Sequence, residues 1–560
     1  MSSMPGTSPQ ESMTTVTLIG TPVVAGVGHG AVLAPGDRPA VPADEPARDD
    51  TPAVFASAAA VVADRLQERA ALSTGSASEV LSATAALVQD RGLAALVAKH
   101  AGAGNGPATS TSKAVDELVA MFTAAGGVMA ERVTDLRDVR DRVVAEILGQ
   151  PEPGVGVPTQ PSVLLADDLA PADTAGLDPT LVVGIAVRLG GPTSHTAIIA
   201  RQLGIPCVVG VVDLPEELPA TALVDGGTGE VVLSPDADAA RTRVEADAVR
   251  RSADAAWEGP GRTADGHAVQ VLANVQDAAG AERAAQEPVE GFGLYRTELS
   301  FLDRPSEPSV QEQTSIYAAV MAAAGAGKVV VRTLDAGSDK PLAFADMGSE
   351  ANPALGVRGL RVARRRPDLL AHQLDAVAAA ADATEADVWV MAPMVSVPSE
   401  AAAFAAQCRE RGLVPGVMVE TPSAALLADR VLEHVDFVSI GTNDLSQYTF
   451  AADRMSAELG DLTDPWQPGL LVLVEAVARA GERAGKPVGV CGEAAADPAL
   501  ACVLVGLGVT SLSCAAGAVR PVGARLASVT LAQCQEAARA AVAAADPAAA
   551  RAAVADVLDA

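Results

Sequence analysis

The chain has 560 residues, 49% of them hydrophobic but only 2% aromatic, and seventy acidic side chains against forty basic ones leave a net charge of −30. That length is too great for one core and predicts two to four domains, while the hydrophobic content excludes intrinsic disorder. A field of that sign argues against nucleic acid and anionic membrane as partners, favours basic ones, and makes any bound anion depend on a locally basic pocket.

The six cysteines, Cys207, Cys408, Cys491, Cys502, Cys514 and Cys534, are scattered without a C-x-x-C pair. Such spacing fits a reducing cytoplasm and argues against a disulfide framework or a zinc site. Residues 1–13 are polar and lack the apolar segment of a signal peptide. No run reaches the roughly 18 apolar residues of a membrane span. A cytoplasmic protein without membrane insertion is the expectation.

In chain order, residues 14–35 read as short strands punctuated by glycine and proline. From 51 to 149 the pattern turns helical, with Ala/Leu/Val stripes and charged faces, and 102–111 (GAGNGPATST) reads as an inter-helix loop. A Pro/Gly linker covers 151–161, after which strands and short helices alternate over 162–234. The strands there are VLLA, LVVGIAV, CVVGVV, ALVDG and EVVLS, so the helical block is an insertion in an α/β domain. Residues 236–256, charged and alanine-rich, read as a connecting helix.

Beyond His267 apolar strands recur at 268–274, 291–295, 329–333, 388–393, 416–419, 436–440, 487–491 and 509–513, with helical segments between them. Eight βα units over about 290 residues match the length of a (β/α)8 TIM-like barrel, whose active site forms at the C-terminal ends of its strands. The expected organisation is an α/β domain over 14–40 and 151–235, an inserted helical domain over 41–150, a linker helix over 236–262 and the barrel over 263–560.

Charged residues cluster at those strand ends. Arg296 follows the second barrel strand and Arg332 ends the third; Lys340 and Arg358 lie in the segment after it, and Arg454 lies after the sixth. Guanidinium groups bind phosphate and carboxylate by paired hydrogen bonds, so such a cluster reads as an oxyanion pocket. Glu420 ends the fifth strand and Asp444, beside Asn443, follows the sixth. Two carboxylates with water and a substrate phosphate suit Mg2+; the alternative is that they simply pair with the arginines. Cys491 closes the seventh strand, where nearby cations are expected to depress its pKa and let it exchange a proton.

Of the six histidines, His195 has the distinctive setting, GGPTSHTAIIARQLGIPCVVG. Gly190 and Gly191 give a loop with free amides, and Pro192, Thr193 and Ser194 read as a helix entry. His195 then lies in the first turn, where helix N–H groups and the dipole favour a phosphate. Neutral imidazole is a competent nucleophile near neutral pH.

GGPTSHTAIIAR, GFGLYRTELSFLDR, VVRTLDAGSDK, NPALGVRGLR, GVMVETPSA, IGTNDLSQYTFAADR and VGVCGE resemble, in order, the motifs of enzyme I, the phosphoenolpyruvate–protein phosphotransferase of the bacterial sugar phosphotransferase system. The resemblance runs from about residue 14 to 530. It implies a swivelling α/β phosphohistidine domain bearing His195, a helical insert that docks the carrier protein HPr, and a barrel that binds phosphoenolpyruvate and forms a homodimer. It implies further that Arg296, Arg332, Asn443 and Arg454 bind phosphoenolpyruvate, with Arg358 and Lys340 nearby. Glu420 and Asp444 would hold Mg2+, and Cys491 would protonate the enol carbon as pyruvate forms.

The chain departs from the family at Pro192 (usually arginine), at Ala170 (usually threonine), at Met455-Ser456 (usually Gly-Asn) and at Ser513-Cys514-Ala515 (usually Ser-Met-Ser). These departures bear on rates and side contacts and leave the core catalytic groups in place. Pyruvate phosphate dikinase and phosphoenolpyruvate synthase share the motifs but need a large ATP-grasp domain, whereas only about 160 largely helical residues precede the histidine domain here. A nitrogen-type paralogue would need an added sensory domain. A non-catalytic phosphoenolpyruvate sensor would be expected to lose some of His195, Glu420, Asp444 and Cys491, all of which are present.

Overall fold

The computed structural model describes residues 15–559 apart from 37, 43–44, 73–75, 126–131, 157, 170, 175–176, 192–193, 302–303, 338–341, 343, 345–347, 349, 455 and 457–458. Two compact units divide the chain, 1–249 and 250–560.

The first unit is built on a mixed sheet of β1 (Val16–Ile19), β2 (Thr21–Val24), β3 (Val27–Leu33), β4 (Ser162–Ala166), β5 (Val182–Val187), β6 (Cys207–Val209), β7 (Thr221–Asp225) and β8 (Glu230–Leu233). Their order is β1-β8-β7-β3-β4-β5-β6-β2. The run β3-β4-β5-β6 is parallel and the remaining pairings are antiparallel. Val163 and Leu165 join one core while Leu164 and Ala166 join another, the period of two that a strand buried on both faces requires. That double burial is why β4 reads as an unbroken apolar run.

One glycine sets the shape of this sheet. Gly20 alone links β1 to β2, which lie at opposite ends of the strand order, so the sheet must roll until its two edges meet. A Cβ at Gly20 would come within 2.7 Å of Val208 Cγ1 and of the Val209 carbonyl oxygen. No other residue fits without moving that corner.

Between β3 and β4 run α1 (Thr51–Leu72), α2 (Ser76–Val88), α3 (Arg91–Gly102), α4 (Pro107–Ala125) and α5 (Val133–Leu148). Phe55, Val62, Leu66, Leu93, Val97, Leu136 and Val139 give them a core of their own. The expected loop over 102–111 is shorter than its composition suggests, because α4 already starts at Pro107. Its first turn is capped from a distance: Glu45 accepts from the amides of Ala108 (2.9 Å) and Thr109 (2.7 Å). A carboxylate there satisfies orphan N–H groups and complements the helix dipole. After β5 comes α6 (His195–Leu203), and α7 (Ala237–Ala255) runs from the first unit into the second.

The second unit is the expected parallel barrel. It comprises β9 (Gln270–Val275), β10 (Gly291–Arg296), β11 (Lys328–Arg332), β12 (Asp387–Ala392), β13 (Val414–Val419), β14 (Phe437–Ile440), β15 (Val488–Val490) and β16 (Ser511–Cys514). The ring closes through β16 on β9. Leu294, Val330, Met391, Met418 and Phe437 pack together as one buried cluster, and Val, Ala and Leu pack between the strands and the outer helices. Among the described residues no helix is long and apolar enough to cross a membrane.

Candidate active site

The barrel's charged side chains gather at the C-terminal ends of its strands: Arg296, Arg332 and Glu420 stand at, or just past, the last residue of a buried strand, and Arg358, Asp444 and Arg454 come from the segments that follow β11 and β14. Arg332, ending β11, donates to Glu298 Oε1 at 2.9 Å and lies 3.3 Å from Asp335 Oδ2. Asp335 in turn pairs with Arg358 (2.9 Å), and Arg358 reaches Asp444 Oδ1 at 3.2 Å. Arg454 meets the other Asp444 oxygen at 3.3 Å. The result is a continuous chain, Glu298–Arg332–Asp335–Arg358–Asp444–Arg454, in which three acids alternate with three bases.

This chain is largely dry. Arg358 is only 2% exposed, and Asp335 and Arg332 are buried as well. Burial works against a guanidinium's charge, but Asp335 and Asp444 beside Arg358, and Glu298 and Asp335 beside Arg332, outweigh it and raise both pKa values. Both cations are therefore permanent.

Glu420, directly after β13, is completely buried and stands apart from this pairing. Its Oε1 accepts from the Met394 amide at 2.5 Å, whereas Oε2 has no hydrogen-bond partner. Burial first, then the negative charges of Asp444 and Asp335, push its pKa up to about 8 from 4.5, and Arg332 offsets only part of that. Gly441 lies against the orphaned oxygen: a Cβ there would sit 2.9 Å from Oε2. A buried unpartnered carboxylate oxygen, electrostatically coupled to a second carboxylate, fits a hard divalent cation such as Mg2+. Asp444, by contrast, does pair with arginines, so the simple ion-network alternative describes it but not Glu420. Among the described residues no group of three His, Cys, Asp or Glu is arranged to hold a metal. Further oxygen ligands would have to come from elsewhere.

Cys491 follows β15 and is buried, its Sγ 3.7 Å from the Ile440 carbonyl oxygen. The expectation of a depressed pKa is overturned. Burial raises it, and contact with Ser439 together with the charges of Arg332 and Arg296 offsets only part of that rise. Asn443 accepts from the Glu493 amide at 3.0 Å, which ties the segment after β14 to the one after β15. Arg296 ends β10 with a buried, unpartnered Nε. Lys340 lies outside the described residues, as do Ala170, Pro192 and Met455.

Sequence reasoning passed over several groups. Glu298 and Asp335 complete the ion chain, and each lies within three residues of a strand-end arginine, a spacing that could have drawn attention to them. Asn274, near the end of β9, donates to the Cys491 carbonyl oxygen (3.3 Å) and accepts from Ser513 Oγ (2.6 Å). Gln373 accepts from the Leu334 amide and donates to Thr297, whose hydroxyl donates to the Arg332 carbonyl oxygen. These two amides, Gln373 fully buried and Asn274 partly so, hold the strand ends that carry the arginines and the cysteine.

In the first unit His195 is the first residue of α6. Ser194 caps that helix, accepting from the Ala197 amide at 3.4 Å. Gly190 upstream has φ +90°, a left-handed turn that redirects the chain after β5. Leu189 before it and Ile198 after it are exposed apolar side chains.

Comparison with known proteins agrees with both units. Residues 251–531 match the family described as PEP-utilising enzyme, PEP-binding domain; 158–229 match its mobile domain and 19–132 its N-terminal part. The phosphoenolpyruvate-protein phosphotransferase of Streptomyces coelicolor is 49% identical over 94% of this chain and 96% of its own length. The protein of the same name from Haloferax volcanii is 41% identical over 75% of this chain and 76% of its own. A multiphosphoryl transfer protein of Xanthomonas campestris is 40% identical over 85% of this chain, which spans 58% of that longer protein. With the barrel, its arginine–carboxylate rim and these matches in hand, the chain belongs to the phosphoenolpyruvate–protein phosphotransferase family, enzyme I.

Proposed function

We propose that the protein takes the phosphoryl group of phosphoenolpyruvate onto His195, releases pyruvate, and passes the group to a histidine of the carrier protein HPr, the entry step of sugar phosphotransfer. One observation carries the reading: the rim is charge-paired yet leaves Arg296 Nε, Arg332 Nε and Glu420 Oε2 buried without partners. Two cationic donors and one carboxyl oxygen, which a bound cation would strip of its proton, are the complement of a phosphate accompanied by a cation.

In this mechanism Arg296, Arg332, Arg358, Arg454 and Asn443 hold the phosphate and carboxylate of phosphoenolpyruvate. Glu420 and Asp444 would hold Mg2+, which neutralises charge on the phosphoryl oxygens during transfer. An imidazole nitrogen of His195 attacks phosphorus, and the bond from phosphorus to the enol oxygen breaks. The electron pair returns through the enolate, whose terminal carbon takes the proton of the Cys491 thiol to give pyruvate; solvent then reprotonates the thiolate. The raised pKa suits this role, since it keeps the thiol protonated until carbon basicity develops.

The start of α6 would stabilise the phosphorylated imidazole through free amides and the helix dipole. The group then moves from one imidazole to another, a phosphorus–nitrogen bond replacing a phosphorus–nitrogen bond. The helices α1–α5 would dock the carrier, one histidine serving two partners requires that it reach each in turn, and a homodimer through the barrel completes the arrangement in the cytoplasm. With a net charge of −30 the chain favours a basic docking face on the carrier, so docking should weaken with salt.

The test is intact mass after mixing with phosphoenolpyruvate and Mg2+ without ATP, beside His195→Ala. An acid-labile gain of one phosphoryl group, absent from the variant and lost on adding HPr, is the expected result. No gain in the wild-type protein refutes the reading.

A further inference from the structure

Arg142, in the middle of α5, is 1% exposed and lies outside the barrel chemistry. Its guanidinium has three arms, and each reaches a different stretch of chain. Nε donates to Asp138 on the preceding turn of α5 at 2.8 Å. Nη1 donates to Glu152 in the linker that leaves the helix, and Nη2 to Asp173 at 2.7 Å. Asp173 belongs to the helical turn Pro171–Thr174 that follows β4, so a single side chain ties the helical insert to the sheet.

The tie is reinforced on both sides. Arg69 of α1 reaches Glu152 at 3.2 Å, and Arg65 reaches Glu146 of α5 at 2.8 Å. Near the start of α5, Thr134 Oγ1 donates to Asp168 Oδ2 at 3.0 Å, in the loop after β4. The neighbouring Asp167 lies 3.2 Å from Arg188 Nε, on the segment that leads from β5 to His195. Contacts thus run from α5 through the β4 loop to the histidine's own loop.

Energy alone does not explain such a hub. A buried ion cluster costs about as much in desolvation as it returns, and apolar residues of similar volume hold helices together at least as well. What a fork of fixed donors adds is direction: three acceptors on three segments can be met in one arrangement only.

We propose that Arg142 is a positioning residue for the second phosphoryl transfer, fixing the orientation in which the helical insert presents a docked acceptor protein to His195. This rests on the reading that His195 carries the phosphoryl group and that α1–α5 receive the acceptor. Arg142 would then touch neither substrate nor acceptor; it would set the geometry between them.

The experiment uses the full chain, with Arg142→Gln and the near-isosteric Asp173→Asn, which decides the matter if the first fails to fold. Three quantities are measured with purified HPr as acceptor: phosphorylation of the chain by phosphoenolpyruvate, the acceptor's Kd, and the single-turnover rate of transfer to it. The expected result is phosphorylation and Kd within twofold of wild type, with transfer slowed at least tenfold. Unchanged transfer, or transfer and acceptor binding lost in parallel, overturns the proposal, the second because it marks a merely structural residue. A spin-label distance between α3 and β7 should also broaden in both variants, and an unchanged distribution overturns it independently of any chemistry. If the wild-type chain takes no phosphoryl group at all, the functional reading fails first and the catalytic part of this proposal with it.

Discussion

Glu420 offers the sharpest test of the site's electrostatics. Its carboxyl is held at about 8 in the folded chain against 4.5 for the free side chain, so the folded state keeps a proton that the unfolded state loses. Stability from this group is full below 4.5 and is lost as pH rises through 8. Between pH 6 and pH 9 the folded carboxyl must surrender its proton, and at 1.36 kcal/mol per pH unit the loss is on the order of 2–3 kcal/mol. For a unit of this size that corresponds to roughly 5 °C in Tm. Glu420→Gln keeps the acceptor for the Met394 amide and cannot ionise, so it should flatten this part of the pH dependence. Calorimetry of both full chains in chelator, at several pH values across that window, gives the difference in slope directly. The variant should gain on the wild type steadily as pH rises. Parallel curves would mean that Glu420 is already ionised in the folded protein, and the account of a buried proton at this rim would be wrong.

Three further expectations follow from the same geometry. Asn274→Ala removes the donor to the Cys491 carbonyl oxygen and should slow pyruvate formation from phosphoenolpyruvate about tenfold while leaving substrate affinity within twofold, as read by rapid quench and calorimetry. Arg358→Met removes the cation shared by Asp335 and Asp444, leaving each with a single arginine partner, and should destabilise the barrel by about 2 kcal/mol, beyond any effect on turnover; a loss below 1 kcal/mol in denaturant titration would contradict the buried chain of charges. Glu45→Gln weakens the cap of α4 and should lower the stability of the helical insert by about 1 kcal/mol, with faster amide exchange at Ala108 and Thr109 as the local signature.

Much of the barrel is legible in the sequence, because parallel strands buried on both faces leave short apolar runs and the chemistry sits where those runs stop. Arg296, Arg332, Glu420 and Cys491 could be placed at strand ends on that ground alone. What stayed hidden depends on distance in sequence. Glu45 caps a helix more than sixty residues away, so 102–111 looked more loop-like than it is. Nothing local to Asp335 says that its carboxylate will bridge two buried arginines, or to Glu298 that it will pair with one. The pKa of Cys491 departs from expectation for a related reason. Neighbouring cations can be inferred from motifs, but the depth of burial that outweighs them cannot.

The glycine corner between β1 and β2 has a consequence for how the chain comes off the ribosome. Both strands precede the rest of their sheet, yet β2 pairs with Cys207–Val209 and β1 with Glu230–Leu233, so their partners are made about 200 residues later. At ordinary translation rates that is a wait on the order of 10–40 s. During it α1–α5 can fold on local contacts, while two short apolar strands remain unpaired and open to mispairing. The histidine's sheet is therefore assembled backwards: its earliest strands are its final seam, and a nascent chain released before residue 233 would carry a formed helical bundle on a sheet that cannot close.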